Sequence, residues 1–374
     1  MEDVDLVLDG TMGEGGGQIV RTALGLSMVT GRSFRIERIR ARRKKPGLQA
    51  QHLTAVLAAA QICDGAVQGA SLGSQILEFR PGPVRPGRYQ FDVGTAGSTS
   101  LVLQTVLPAL ALASAPSELT LRGGTHNPFA PPFDFLAEVF FPILRRMGLQ
   151  VEAQLEAYGF YPAGGGQMRV RIQPMERLQG LELLHRGRMI EHSLWAVVAR
   201  LPRHIAHREV ETARRKLGWE TKCVQILEVD SAGPGNYVAI RIHCEYITEL
   251  FTAFGQIKVP AEKVAADAAR QAQRWLQADA PVGEHLADQL LIYLALAGQG
   301  AFRTLEPSSH TQTNREVITR FLERSLRIEQ QNARQWIISV ESSSPHKEPK
   351  IPEERHPPSG KPRKPEGRWG LAPA

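Results

Sequence analysis

The stretch Thr304-Leu-Glu-Pro-Ser-Ser-His-Thr-Gln-Thr-Asn314 follows an apolar run, Leu290 to Phe302, that includes Tyr293, Leu294 and Leu296. Beyond it Val317, Ile318, Phe321 and Leu322 recur at helical spacing. The reading is strand exit, polar loop, then helix, with His310 at the centre of the loop. That position suits phosphate chemistry, because a helix start offers unpaired N–H groups and the positive end of its dipole. An imidazole there can attack a phosphate and hold it as a phosphoramidate. A histidine among capping Ser and Thr residues can equally be structural.

The same order of elements occurs three times. A small-residue helix leads to a short strand, a polar loop, a second helix and two closing strands. In the first copy these are Gly15 to Val29, Phe34 to Ile39, Arg40 to Pro46 and Gly47 to Ile62. In the second they are Gly97 to Ala113, Leu119 to Arg122, Gly123 to Pro128 and Pro131 to Met147, the last opening with proline, which is favoured in a first turn. The third runs Gly283 to Ala297, a strand near Phe302 to Leu305, the His310 loop and a helix to Leu326. A repeat of this kind places the three polar loops at one end of their sheets, among helix N-termini, where ligands of α/β units lie. Between the second and third copies, Leu184 to about Ala278 alternates strand and helix differently and reads as a small α/β insert. The expected fold is α/β (α+β). Residues 1–183 and 279–340 form a large domain of three helix-and-sheet repeats, and 184–278 form an inserted domain. From 341 the chain turns to Pro, Lys, Arg, Glu and Ser, a composition expected to stay disordered.

Composition narrows the class. The chain of 374 residues has room for a sizeable core, and its 42% hydrophobic and 22% charged content is that of a globular protein. A formal charge of +7 leans toward a polyanionic partner. Cys63, Cys223 and Cys244 are scattered and form no CxxC pair, which fits a reducing, cytoplasmic setting and opposes a zinc site. The acidic start, Met1 to Asp5, does not read as a signal peptide, and Leu101 to Ala113 is too short to span a bilayer, so no membrane role is expected. No GxxxxGK[ST] is present, Gln18 takes the last glycine position of a dinucleotide fingerprint, and there is no HExxH.

Several polar residues are costly where they stand. Gln104 is the one strongly polar side chain in Leu101-Val-Leu-Gln-Thr-Val-Leu107, so its amide either bonds a neighbouring backbone or reads a ligand edge such as adenine. Glu14, Gln18 and Arg21 are spaced to share a face, opposite Val20, Leu24 and Met28. A carboxylate at the mouth of this Gly-rich turn can hold a divalent cation against a triphosphate, or simply answer a helix dipole. His285, Asp288 and Gln289 share a face of the third leading helix, and Asp288 can accept from a ribose hydroxyl, orient His310, or face solvent. Arg40, Arg43, Gln51 and His52 surround the first loop, where paired guanidinium N–H groups can grip phosphate.

Gly13-Glu-Gly-Gly-Gly-Gln-Ile-Val-Arg21, Arg40-Ala-Arg-Arg-Lys-Lys-Pro-Gly-Leu-Gln-Ala-Gln-His52, Gly123-Gly-Thr-His-Asn-Pro128, Tyr161-Pro-Ala-Gly-Gly-Gly166, Ala287-Asp-Gln289 and Ser308-Ser-His-Thr-Gln-Thr-Asn314 strongly resemble the RNA 3′-terminal phosphate cyclases, from about Asp9 to Val340. The resemblance implies that His310 takes AMP from ATP and passes it to an RNA 3′-phosphate, after which the 2′-hydroxyl closes a 2′,3′-cyclic phosphate. It implies Glu14 as ligand of a divalent metal (Mg or Mn). Gln104, Pro131, Phe251, Glu284, His285, Leu286, Ala287, Asp288 and Gln289 would lie around ATP. Arg21, Arg40, Arg43, Gln51 and His52 would receive the phosphate of an RNA with a 3′-phosphate end. Two departures are His285, where many relatives carry tyrosine, and Tyr158, where a basic residue is common. The rival readings are a cyclase-like RNA-binding factor of ribosome assembly, which lacks the nucleophilic histidine, and enolpyruvyl transferases, which share the repeat alone.

Overall fold

Leu8, Phe34, Ile36, Leu77 and Phe79 are all completely buried, yet the strands that carry them are very short. Such strands survive by laying one face on helices. In the computed structural model, which describes residues 3–340, the expected Pro-rich tail lies outside the described residues. The first unit runs β1 (Leu6–Asp9), α1 (Gln18–Thr30), β2 (Phe34–Glu37), α2 (Ala50–Cys63), β3 (Ala66–Gln68) and β4 (Leu77–Arg80). The second runs β5 (Arg88–Asp92), α3 (Thr99–Ala111) and β6 (Ser117–Gly123). It continues through a helix made of α4 (Phe133–Phe135), a π-helical turn (Leu136–Phe140) and α5 (Phe141–Arg146), then β7 (Gln150–Ala157) and β8 (Gly166–Gln173). The third opens with β9 (Leu181–Leu183) and is then interrupted by β10 (Met189–Ala199), α6 (His204–Leu217), β11 (Val224–Glu228), β12 (Gly235–Cys244), β13 (Thr248–Phe254) and α7 (Ala261–Ala278). It resumes with α8 (Glu284–Ala297), β14 (Gly300–Thr304), α9 (Ser309–Leu322), β15 (Leu326–Gln330) and β16 (Trp336–Val340).

The sheets of the three units have the same order, β1-β2-β4-β3, β5-β6-β8-β7 and β9-β14-β16-β15. In each the first two strands are parallel and the other pairings antiparallel. Each unit is thus a strand, a helix, a strand, a helix and two closing strands. The leading strands β5 and β9 are absent from the sequence reading, because they are too short to show alternation, whereas the Gly-rich turn from Gly13 to Gln18 reads as following a strand, which is β1. Since β9 pairs with β14, the insert sits inside the third unit, between its first strand and α8. Its own sheet, β11-β10-β12-β13, differs in order from the other three.

Two boundaries move in ways that matter. Helix α9 begins at Ser309, with Ser308 Oγ accepting from Thr311 N–H at 3.2 Å, so His310 lies in the first turn and not in the loop. The helix expected from Pro131 begins at Phe133, capped by Pro132, and its middle widens into the π turn just ahead of Pro142, a residue with no N–H to give.

Helix α1 packs on α2, α3 and α9, and α9 packs on α8, so helices from all three units meet. The insert is tied to the second unit by Tyr237 O–H donating to Asp134 Oδ2 at 2.5 Å and by Arg241 with Glu138 at 2.9 Å. It reaches the third through Glu249 Oε1, which accepts from Gly283 N–H at 2.5 Å at the start of α8. Among the described residues no helix is long and apolar enough to cross a membrane, and Cys63, Cys223 and Cys244 are unpaired.

Candidate active site

Gly13-Glu-Gly-Gly-Gly17 forms a tight turn between β1 and α1 whose two end positions admit nothing larger than glycine. Gly13 has φ +50, and a side chain on it would collide with Thr313 of α9, while one on Gly17 would strike the His52 ring of α2. The turn is therefore clamped between two units, and Glu14 at its apex is carried to His310; it precedes α1 and does not lie on the helix face with Gln18 and Arg21.

His310 Nδ1 lies 2.9 Å from Glu14 Oε1 and 2.7 Å from Gln18 Oε1. Gln18 is oriented by its own amide, which donates to Asp288 Oδ1 at 2.5 Å. Asp288 also receives Asn314 Nδ2 at 3.2 Å, and Asn314 Oδ1 receives Thr22 O–H at 2.7 Å. Both neighbours of Nδ1 are acceptors, so Nδ1 carries the proton and the neutral ring presents its lone pair at Nε2. The side chain is 52% exposed, and its Nε2 makes no hydrogen bond among the described residues. The hydrogen bond to Glu14 raises the His310 pKa, against the opposing effects of burial and Arg21. Burial would raise Glu14, but the hydrogen bond and charge of His310, with Arg43 at 3.1 Å, hold it below its ordinary value. Asp288 goes the other way, since burial outweighs Gln18, His310 and Arg21.

The first loop supplies a second cluster in which acceptors are spent and donors are left over. His52 is buried and its Nδ1 accepts from Gln49 N–H at 3.1 Å, which leaves Nε2–H uncommitted; burial, with Arg21 and Arg40 nearby, takes its pKa down to about 3. Gln51 Oε1 accepts from Ser98 N–H at 3.0 Å, and its amide N–H groups make no hydrogen bond among the described residues. Arg21 donates no hydrogen bond among the described residues, and burial, against the pull of Asp288 and Glu14, lowers it to about 10. Arg40 spends one nitrogen on the carbonyls of Lys45 and Gly47, at 2.7 and 3.0 Å, closing its own loop. Arg21 and Arg40 lie near enough to His52 to lower its pKa, and a group of donors with few acceptors among them suits an anion.

A family model described as RNA 3′-terminal phosphate cyclase matches residues 12–328. The chain belongs to that family. Among proteins carrying the same description, it is 53% identical to one from Koribacter versatilis, covering 90% of this chain and 95% of the relative. It is 50% identical to one from Pseudomonas fluorescens, over 89% and 96%, and 50% identical to one from Salmonella typhimurium, over 85% and 93%.

For this member of the cyclase family, the remaining site residues fall as follows. Gln104 Nε2 donates to Gln289 Oε1 at 2.7 Å, so its partner is a side chain from another unit and not the backbone, and its own oxygen stays free. Glu284 and His285 are in the first turn of α8, His285 exposed, whereas Leu286 and Ala287 are buried in its packing. Pro131 is half-buried, its carbonyl accepting from Ser100 O–H at 2.7 Å. Phe251 is buried in the insert with its ring 5.7 Å from that of Trp275. Tyr158 stacks on His126 at 4.9 Å. Among the described residues no group of three or more His, Cys, Asp or Glu could hold a metal ion. Glu14 is a single carboxylate with Oε1 facing His310 and Oε2 facing Arg43, so a cation beside it would take the rest of its shell from phosphate and water. Thr22, Thr313 and Asn314 were not singled out in the sequence; their signal is polar side chains one helical turn from Gln18 and His310, an ordinary pattern until the partners are seen.

Proposed function

We propose that this chain converts an RNA 3′-terminal phosphate into a 2′,3′-cyclic phosphate, consuming ATP through AMP bound to His310. The observation that carries the proposal is the committed Nδ1–H and open Nε2 of His310. Nε2 attacks the α-phosphorus of ATP and pyrophosphate leaves with the bonding pair. An oxygen of the RNA phosphate then attacks the same phosphorus, displacing the imidazole and joining AMP to the RNA end. The neighbouring 2′-hydroxyl attacks the terminal phosphorus, loses its proton, and AMP departs. Adenylation supplies the leaving group, and the intramolecular hydroxyl removes the entropy of bringing in a nucleophile.

In this reading Arg21, Arg40, Arg43, Gln51 and His52 receive the RNA phosphate with their spare donors. The free oxygen of Gln104 accepts from the adenine amino group. Pro131, Phe251 and His285 enclose the nucleotide, the backbone of Glu284 to Ala287 borders it, and Asp288 and Gln289 serve the ribose. Glu14 would be the protein's ligand to magnesium or manganese, which would offset the triphosphate charge. Unpaired cysteines support a reducing, cytoplasmic setting. The test is incubation with α-labelled ATP. Acid-labile AMP is expected on the peptide containing His310; no label, or label elsewhere, would overturn the mechanism and favour an RNA-binding factor.

A further inference from the structure

Phe129 is 99% exposed and Tyr161 69% exposed, and both belong to otherwise anchored segments. Phe129 also holds φ +64, a conformation L residues avoid, so the backbone is fixed by its flanks rather than by the ring. On one side Asn127 Nδ2 donates to the Ala96 carbonyl at 2.5 Å; on the other Ser100 O–H donates to the Pro131 carbonyl at 2.7 Å. Two Cα steps separate Phe129 from each anchor, so its Cα lies within about 8 Å of both. Tyr161 rides on the same turn. Gly164 closes back on Phe160 at 2.7 Å, and a side chain at Gly164 would meet the Thr95 carbonyl at 2.9 Å. The two segments leave a parallel bridge between His126 and Phe160. Both segments lie against Thr95 to Ser98, the lead-in to α3, where Ser98 N–H donates to Gln51 Oε1 at 3.0 Å. Gln51 stands in the first turn of α2, the helix that follows the loop of Arg40 to Lys45, where Lys44 and Lys45 are exposed and make no ion pair among the described residues.

We propose that Phe129 and Tyr161 are a stacking platform for bases of single-stranded RNA just upstream of the end held by Gln51 and the basic loop. This rests on the function proposed above and adds a subsite to it. Exposed aromatic faces, linked through Ser98 and Gln51 to a helix start that follows exposed cations, are the chemistry that binds single strands with little sequence preference. A second copy of the chain would use an apolar patch without the adjoining cations, so RNA is the occupant the surface fits.

The experiment uses the full chain and 3′-phosphorylated RNA oligomers in which one abasic nucleotide is stepped back from the end. In the wild type, one or two abasic positions should raise KM about ten-fold with kcat kept. Phe129→Ala should raise KM about ten-fold on intact RNA and erase the abasic penalty, and Phe129→Trp should restore both. The platform is overturned if Phe129→Ala stays within about two-fold of wild type on every oligomer, if it also loses labelling from ATP, or if it changes the oligomeric mass instead. Fluorescence anisotropy with the same oligomers separates this from the reaction. Binding that depends on Phe129 without cyclisation would sustain the platform and sink the reaction, and cyclisation with binding indifferent to Phe129 would do the reverse.

Discussion

His310 and His126 each have a ring nitrogen 2.9 Å from a carboxylate, Glu14 in one case and Asp134 in the other. His310 keeps one nitrogen uncommitted and is half exposed. His126 is fully buried, its Nδ1 paired with Thr125 Oγ1 at 2.9 Å and its ring stacked among Tyr158, Phe160 and Tyr237. The pair is the same and the availability is not. A histidine–carboxylate couple becomes a nucleophile only where the far nitrogen meets open space; with both nitrogens engaged, it joins the second unit to the insert through Asp134 and Tyr237.

The comparison breaks most clearly by deletion. His310→Ala should lower AMP transfer roughly a thousand-fold or more while leaving chemical denaturation within about 0.5 kcal/mol of wild type. His126→Ala should do the opposite, costing about 3 kcal/mol in denaturation because it leaves a cavity and strands Asp134, with AMP transfer kept at temperatures where the variant is folded. Equal activity loss in both would erase the distinction. A finer cut is Glu14→Gln. Attack requires neutral imidazole, and Glu14 raises the His310 pKa, so the acid limb of the rate profile should move to lower pH, with the optimum rate reduced about ten-fold. An unmoved limb would mean that Glu14 does not set the His310 proton.

A separate effect, on stability alone, concerns Glu249, which burial pushes up to about 8 where it meets the start of α8. Its folded value lies above the unfolded one, near 4.5, so stability is complete below about pH 4.5 and falls as pH rises toward 8. Glu249→Gln should flatten that slope in denaturation curves measured between pH 5 and 8.

Much of this was legible in the residues. The Gly-rich turn, the basic loop and the His310 stretch are long, ordered motifs, and α7 buries one clear face through Ala261, Val264, Ala265, Ala268, Ala272 and Trp275. The strands β5 and β9 were not, because a strand of three to five residues has too few positions to reveal a period and gains its stability only by pairing. Gln104 left open which partner would satisfy it, and the answer, Gln289, lies far along the chain. Glu249 and Asp134 gave no local sign, since burial is a property of the neighbours.

By itself the sequence determined the composition of the site and the rhythm of helices and strands, because side-chain chemistry and backbone propensity are local. The tertiary structure alone decided which nitrogen of His310 is free, which donors are unspent, and that the insert enters within the third unit. Those depend on distances between residues that meet only when the three units pack, and no run of neighbouring residues encodes them.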